Sequence, residues 1–365
     1  MRYEIKEEIT MAQRIELDGY TLNLSDPILY IDNQSRGRSG HMTHAMVQWA
    51  PGKIIDFNAN CSARIHRGHS TFGWVEYRLS EDGGETFSDF HTFPYSWQSF
   101  IDGEHTISVE KAVGCDNGRI VAFCLRNCPT TVCQPWGTPM VVCSDDGAQT
   151  WSDARELCNW AGRTYDAVYH KGVIYVLHFC NDGTGHFCGE KPEHVYRIYT
   201  SHDNAQTFQE LCVVPIPSLG RGYGAMQFDD QDRLHVYAYN INDERHMDHV
   251  ITEDFGRTWC DPETCYLDKA IRNPQTAWMD GLFLLHGRAE NGRGFVLYAS
   301  GDGSSWSEGT IIAPPKLGCY YSNNLVLPGE NGRSKLLIQY SDTYNNKQVN
   351  VKHMWLRIDP AADLP

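Results

Sequence analysis

Arginines near the ends of short apolar segments are the residues whose placement most suggests chemistry in this chain of 365 residues. A guanidinium group stays charged and binds a carboxylate through two parallel hydrogen bonds, so several converging arginines suit an acidic ligand. The arginines that we expect to bind substrate are Arg36, Arg38, Arg221, Arg288 and Arg293. Tyr239 and Trp136 are candidates for the same role, Trp136 as a surface on which a sugar ring can stack.

Four further residues could carry a reaction: Tyr321, His66, His69 and Asp166. Imidazole titrates near neutral pH, so His66 or His69 could exchange a proton with a reacting group. Tyr, His and Arg together also form the set needed for β-elimination from a uronic acid. In that reaction Arg neutralises the carboxylate, a base removes the adjacent proton, and Tyr or His protonates the leaving oxygen.

A repeated turn pattern indicates which elements position these residues. The pattern is Ser/Thr-x-Asp-x-Gly-x-Thr-Phe/Trp, and its five copies begin at Ser80, Ser144, Ser201, Thr252 and, in a shortened form, Ser300. The Asp and Ser/Thr oxygens can accept bonds from the N–H groups of a tight turn, and Gly allows a positive φ. Copies roughly 50 to 60 residues apart, each after a short apolar run, are typical of propeller blades.

The repeat therefore predicts an all-β, six-bladed β-propeller whose strands A to D run outward from a central channel. We expect one propeller domain over residues 21–358, between an N-terminal extension (1–20) and a C-terminal tail (359–365). A strand near residues 21–31 should complete blade 6. The starts of the A strands, the ends of the B strands and the B–C loops share one face, opposite the repeat turns, and candidate site residues should lie there.

These segments resemble the Asp-box (BNR) repeat, and the chain resembles the sialidase-like β-propeller superfamily over roughly residues 25 to 358. Sialidases place a nucleophilic Tyr at the start of the last blade, and residues 321–327 look like that segment. The resemblance therefore implies that Tyr321, rather than Tyr320, is the nucleophile. It also implies that Arg293 and either Arg36 or Arg38 belong to the arginine triad that holds the carboxylate of the sugar.

Three positions depart from the pattern of that family. Residues 218–226, where sialidases supply a Glu that activates the Tyr, contain no carboxylate. Tyr239 stands where the second triad arginine is expected. The B–C loop of blade 1, residues 61–71, lacks the acid/base Asp and contains His66 and His69 instead.

The sequence accordingly predicts a glycoside hydrolase that acts on a small acidic sugar glycoside with a non-standard catalytic set. Two alternatives remain open at this stage: a uronic-acid lyase that uses Tyr, His and Arg, and a non-catalytic sugar-binding propeller. The sequence does not identify the sugar, the linkage or the oligomeric state.

Composition limits the partners and the compartment. The formal net charge is −15 with no basic stripe, which argues against nucleic-acid binding. We find no apolar run long enough for a signal peptide or a membrane span, so the expected location is cytoplasmic. In that compartment the 13 cysteines should be mostly reduced.

We expect neither a cofactor nor a metal. His178-x-Cys180 and His186-x-Cys188 contain ligand types that zinc accepts, but a spacing of one residue is not the usual zinc spacing.

Overall fold

The structure, a computed structural model, describes residues 11–40, 44–67, 70–127, 137–181, 188–289, 294–313, 321–342 and 348–360. These residues form 27 strands and one α-helix, α1 (Pro94–Asp102). The strands of the first half are β1 (Met11–Leu17), β2 (Tyr20–Ser25), β3 (Ile28–Ile31), β4 (Arg38–Ser39), β5 (Met46–Ala50), β6 (Lys53–Arg67), β7 (Ser70–Ser80), β8 (His91–Thr92), β9 (Thr106–Gly114), β10 (Ile120–Asn127), β11 (Met140–Ser144), β12 (Arg155–Glu156), β13 (Gly162–His170) and β14 (Val173–Cys180). Those of the second half are β15 (Val195–Ser201), β16 (Gln209–Val213), β17 (Arg221–Phe228), β18 (Leu234–Asn240), β19 (His246–Thr252), β20 (Glu263–Tyr266), β21 (Ile271–Met279), β22 (Leu282–Ala289), β23 (Phe295–Ser300), β24 (Thr310–Ala313), β25 (Ser322–Pro328), β26 (Ser334–Ser341) and β27 (Val351–Pro360).

The strands form six antiparallel sheets, the blades of a β-propeller. Blade 1 runs outward from β4 and β5 through β6 and β7 to β8, and blades 2 to 5 follow with four strands each, from β9–β12 to β21–β24. The innermost strands β5, β9, β13, β17, β21 and β25 contact one another in a closed ring. The predicted six-bladed fold is thus confirmed.

Blade 6 joins the two ends of the chain. Its strands β25, β26 and β27 come from the C-terminal part, and β2 from the N-terminal part pairs with β27. This is the ring closure that the sequence indicated near residues 21–31. The sheet also extends past the expected domain boundaries, because β1 pairs with β2 and β27 continues to Pro360. Residues 11–17, placed in the N-terminal extension, are therefore the outermost strand of blade 6.

Buried apolar side chains fill the space between each pair of neighbouring blades. Blades 1 and 2, for example, enclose Phe57, Phe93 and Val109. The apolar side chains pack between the blades, while polar, charged and tyrosine side chains of the inner strands face the channel. The core is therefore distributed around the ring, and the channel at its centre is free for a site.

Four of the repeat turns use one hydrogen-bond arrangement, and the shortened fifth keeps its serine–aspartate bond, from Ser300 Oγ to Asp302 Oδ1. In the second copy Ser144 Oγ donates to Asp146 Oδ1 (2.9 Å), which also accepts from the backbone N–H of Thr150 (2.9 Å), while Thr150 Oγ1 donates to Asp146 Oδ2 (2.6 Å). These bonds, chiefly those from Thr150, lower the pKa of Asp146 to about 2. The aromatic residue that ends this copy, Trp151, packs against Phe57 of blade 1 with ring centroids 5.8 Å apart. Each such turn thus closes a hairpin and anchors a blade to its neighbour.

Candidate functional site

A pocket of about 60 Å³ lies in the channel where the inner strands converge. Its lining comes from all six blades and includes His44, Glu110, Lys111, Arg163, Tyr165, Tyr223, Gln275, Tyr321 and Asn323. That volume holds a few water molecules and is smaller than a sugar ring. The enclosed part can therefore take a substituent of a ligand, such as a carboxylate, while the body of the ligand lies in the open channel above it.

Arg163, at the start of β13, is a buried cation in this pocket. Its Nε lies 2.5 Å from Glu110 Oε2, and its Cζ lies 5.4 Å from the centre of the Tyr165 ring and 5.6 Å from that of Tyr223. Burial alone lowers the pKa of Arg163, but the Glu110 carboxylate and the neighbouring tyrosines raise it above its ordinary value. Arg163 is therefore a permanent positive charge on the pocket wall.

Two further arginines stand directly opposite each other on neighbouring strands of blade 5. Arg272 on β21 is the register partner of Arg288 on β22. The Cζ of Arg272 lies 5.9 Å from the centre of the Tyr223 ring, and the Cζ of Arg288 lies 5.7 Å from that of Tyr321. Like charges facing each other across a strand pair repel, and an anion bound beside them would relieve that repulsion.

Tyr321, the candidate nucleophile of the sequence analysis, lines this pocket. It is buried and precedes β25, and its backbone N–H donates to Ser341 Oγ (3.2 Å) while its carbonyl accepts from the Ser341 N–H (2.9 Å). Tyr223 on β17 lines the same pocket, in the segment where the resemblance led us to look for a carboxylate. Three arginines from blades 3 and 5 thus surround two tyrosines from blades 4 and 6.

Lys111 forms the floor of the pocket and spans the channel. Its Nζ lies 2.6 Å from Gln275 Oε1, 3.1 Å from Asn323 Oδ1 and 3.2 Å from Asp166 Oδ1. These acceptors belong to blades 5, 6 and 3, while Lys111 itself belongs to blade 2. One ammonium group therefore ties four blades together at the centre of the ring.

Replacing Lys111 with Met should lower the free energy of unfolding by about 3 kcal/mol, because it leaves the buried Asp166 carboxylate without its cation. Urea denaturation measures this change. The matched control is Lys171→Met, since Lys171 also pairs with an aspartate, Asp232, but is largely exposed. Such a surface pair contributes at most about 1 kcal/mol. Equal, small effects of the two substitutions would contradict the role given to Lys111.

Both carboxylate oxygens of Asp166 have partners within the protein. Its Oδ1 accepts from its neighbour's backbone, Ala167 N–H (2.9 Å), besides Lys111, and its Oδ2 accepts from the N–H of Met226 in blade 4 (2.9 Å). The contacts therefore support a structural function for Asp166, which joins blade 3 to blade 4. We assign Asp166 no catalytic role.

Comparison with known proteins bears on the architecture. No protein-family model and no curated protein sequence matches the chain. A solved structure of a protein of unknown function from Dyadobacter fermentans matches with a TM-score of 0.72 and 12% identity, over 94% of this chain and 100% of that one. The NanB sialidase of Streptococcus pneumoniae matches with a TM-score of 0.63 and 8% identity, over 93% of this chain and 71% of that one. The chain has the fold of the sialidase-like β-propellers.

An α-L-arabinanase from Penicillium chrysogenum, solved with arabinobiose, shares this fold with a TM-score of 0.59 and 12% identity, over 88% of this chain and 94% of that one. Because all three identities are this low, the comparisons establish the fold and leave the reaction to be argued from the site.

Three predicted arginines are engaged by side chains of their own blades and are not among the residues that line the pocket. Arg221 makes two bonds to Asp248 of strand β19, at 2.6 and 3.3 Å. Arg36 Nη2 lies 2.7 Å from Glu76 Oε2 on β7. Each is drawn outward by a carboxylate on the third strand of its own blade.

Arg38 is also engaged within blade 1. Its Nε donates to Asn60 Oδ1, its Nη2 donates to Asn60 O (2.8 Å), and its Cζ lies 4.7 Å from the centre of the Trp74 ring. Tyr239 lies one layer behind the pocket, where its hydroxyl donates to Glu244 Oε1 (2.6 Å) and its ring lies 5.8 Å from that of Tyr223. Of the predicted set, the structure thus brings together Tyr321 and Arg288.

Several predicted residues lie outside the described residues. They are His69, Arg293 and Trp136, together with the side chain of His66, whose backbone belongs to β6. Their roles stay predictions.

Sequence analysis missed Glu110 and His44 as pocket residues. Glu110 and Lys111 are consecutive charged residues inside the otherwise uncharged strand β9, and such an interruption is the signal that could have identified them. His44 just precedes β5 and is buried against the pocket.

Within the described ranges no cluster of three or more His, Cys, Asp or Glu side chains is arranged to hold a metal. His178 is buried, with its Nε2 3.2 Å from the carbonyl oxygen of Trp160, and His186 lies outside the described residues. The same described part of the chain contains no helix of the length and apolarity that a membrane span requires.

Proposed function

We propose that this sialidase-like propeller is a glycoside hydrolase that acts on a small acidic sugar glycoside. The observation that carries the proposal is the group of three arginines, Arg163, Arg272 and Arg288, beside the pocket tyrosines Tyr223 and Tyr321. Lys111 and Arg163 pair with the carboxylates Asp166 and Glu110, and Arg272 and Arg288 place two more guanidinium groups beside the pocket tyrosines. Guanidinium groups gathered in this way suit an anionic ligand.

The shape of the pocket supports the same class of ligand. An enclosed volume of about 60 Å³ fits a carboxylate and its hydrogen-bond partners. Guanidinium groups recognise that planar, two-oxygen group in a fixed geometry. A sugar held in this way would keep its ring in the open channel, with the carbon that carries the carboxylate nearest the tyrosines.

Tyr321 is the nucleophile in this proposal. Its oxygen attacks the anomeric carbon, the glycosidic C–O bond breaks, and the leaving oxygen takes up a proton; water then cleaves the glycosyl–tyrosine bond. The positive charge of Arg288 beside the ring stabilises the phenolate that attacks. We assign the proton transfers to His44 and Glu110, the imidazole and the carboxylate that line the pocket beside Tyr321.

Elimination from a uronic acid is the second candidate, and the presence of Tyr223 as well as Tyr321 in the pocket favours it. With the carboxylate neutralised by arginine, one tyrosine or His44 could remove the adjacent proton and the other tyrosine could protonate the leaving oxygen. Hydrolysis and elimination differ in product, because only elimination creates a conjugated, ultraviolet-absorbing double bond.

The test is turnover of aryl glycosides of sialic and uronic acids, and of uronic-acid oligosaccharides, by the wild type and by Tyr321→Phe. We expect the wild type to release the aglycone and the variant to lose about 100-fold or more in kcat, with binding retained. Tyr266→Phe, which alters an exposed tyrosine of blade 4, should behave as the wild type.

Other outcomes separate the alternatives. A rise in ultraviolet absorbance without hydrolysis would assign the lyase reaction. Binding of acidic sugars without any turnover would leave a non-catalytic sugar-binding propeller, and full activity of Tyr321→Phe would remove this tyrosine from the mechanism.

A further inference from the structure

A second depression, of about 350 Å³, lies between the outer parts of blades 2 and 3. It is separate from the central pocket and shares no lining residue with it. The side chains that matter in its walls are Glu156, Asn159, Trp160, Tyr199, Phe208 and Glu210. This volume, unlike that of the central pocket, is in the range of small-ligand sites.

Trp160 provides an exposed aromatic surface in this depression. It is 46% exposed, although tryptophan is usually well buried. The Cζ of Arg197 lies 4.9 Å from the centre of its ring, and its carbonyl oxygen is contacted by His178 Nε2 (3.2 Å) and Cys158 Sγ (3.5 Å). The bonds to the carbonyl fix the backbone at Trp160, and the Arg197 guanidinium contacts the ring itself, so a flat ligand can stack on the indole at a small cost in entropy.

The two carboxylates of the depression are already paired with cations. Glu156 Oε1 lies 3.3 Å from Arg126 Nη2 and accepts from Thr138 Oγ1 (2.9 Å). Glu210 Oε1 lies 2.5 Å from Arg197 Nη1. An organic cation would gain little from carboxylates whose charge is compensated.

The same carboxylates can still accept hydrogen bonds from hydroxyl groups. An ionised carboxylate has about four lone-pair sites, and each of these two uses part of them. Both bonds of Glu156 reach Oε1, and none of the described residues donates to its Oε2. An aromatic platform beside hydrogen-bond acceptors with little net charge matches a ligand that has an apolar face and several hydroxyl groups.

We propose that this depression, which we call the flank site, binds a neutral sugar residue through stacking on Trp160 and hydroxyl donation to Glu156 and Glu210. The loop that carries Trp160 leads directly to Arg163 in the central pocket, three residues later. Their Cα atoms therefore lie within about 11 Å of each other. The proposal does not depend on what the central pocket does.

The test is isothermal titration calorimetry with lactose, cellobiose and arabinobiose, and with tetramethylammonium as a cation of similar stacking ability. We expect at least one disaccharide to bind and Trp160→Ala to weaken that binding about tenfold or more, the loss of one aromatic contact. The matched control is Trp97→Ala, which removes another exposed tryptophan, on α1. Trp97→Ala should bind the disaccharide with the affinity of the wild type.

Two further variants make the result specific. Glu156→Gln keeps the acceptor oxygen and removes the charge, so sugar affinity should change less than about threefold. Arg288→Met damages the central pocket, and disaccharide binding at the flank site should persist in it. Failure of all three disaccharides to bind, unchanged affinity in Trp160→Ala, or binding of tetramethylammonium in place of sugar would overturn the proposal.

Discussion

Replacing Arg288 or Arg272 with Met should weaken the binding of acidic sugars about 100-fold, while the ligand-free protein stays folded. When a guanidinium is partly withdrawn from water and bonded to a carboxylate, its truncation typically costs about 2 to 5 kcal/mol of binding free energy. The two groups face each other across strands β21 and β22, so removing one also removes a like-charge repulsion. Calorimetric titration with sialic and glucuronic acids measures the affinity, and thermal unfolding without ligand measures the stability.

The ligand can be varied in parallel with the protein. We expect the methyl ester of the preferred sugar to bind the wild type as weakly as the acid binds Arg288→Met, and the ester to show little further loss in the variant. Such non-additivity would show that Arg288 binds the carboxylate of the sugar directly. Arg14→Met, the same change on the exposed strand β1, serves as the control and should leave affinity unchanged. Additive losses, or normal affinity of Arg288→Met for the acid, would contradict the assignment.

The fold could be predicted because the sequence pattern that specifies it is local and is repeated along the chain. Each repeat turn is specified within eight residues, where Asp146 or Asp203 bonds to a serine two positions earlier and to a threonine four positions later. Five such turns fix the spacing of the blades, and the ring then needs a strand from the other end of the chain to close blade 6. Strand β1 was missed because the residues near position 11 carry no turn pattern that relates them to the repeat.

The site was predictable only in part, because the direction of an arginine depends on partners far away in the sequence. Arg36 and Arg221 were placed near strand ends correctly, but their carboxylates, Glu76 and Asp248, lie 40 and 27 residues further along the chain. No pattern in a single sequence relates these pairs. Arg288 lies opposite another arginine, Arg272, on the neighbouring strand of its own blade, and its guanidinium is beside the Tyr321 ring.

The same reasoning explains why the floor of the pocket escaped sequence analysis. The acceptors of Lys111 come from three other blades, and two of them are neutral amides, Gln275 and Asn323. Amides are common in strands that face a channel, so neither residue type suggests a lysine partner. Lys111 and its acceptors meet because the closed ring brings the inner strand of each blade to the central axis.

Acidification provides the second large effect that we expect: stability should fall steeply between pH 6.5 and about pH 4.5. Burial lowers the pKa of His178 and His235 to about 4, and that of His249 and His286 to about 3. The folded protein therefore keeps these imidazoles neutral while the unfolded chain, with an ordinary pKa near 6.5, takes up protons. Each such histidine lowers the free energy of unfolding by about 1.4 kcal/mol per pH unit in this window.

The repeat-turn aspartates cannot account for that loss, because their contribution has a different pH window. The pKa values of Asp146, Asp203 and Asp254 are lowered to about 2, so their contribution is full above the ordinary pKa near 4 and is lost only as the pH falls towards 2. Urea denaturation at pH 7.5, 6, 5 and 4.5 thus isolates the histidines.

One substitution should flatten this pH dependence. His249 stacks on Tyr237 with ring centroids 4.4 Å apart, and its Nε2 lies 3.1 Å from His235 Nδ1. In His249→Phe the stacking is kept and one titrating group is removed, so we expect the slope of stability against pH to decrease by about 1.4 kcal/mol per unit. The control is His202→Phe at an exposed position, which should leave the slope unchanged. Equal slopes in the wild type and His249→Phe would show that this imidazole takes up protons equally in the folded and unfolded protein, and the neutral histidine pair would then have to be abandoned.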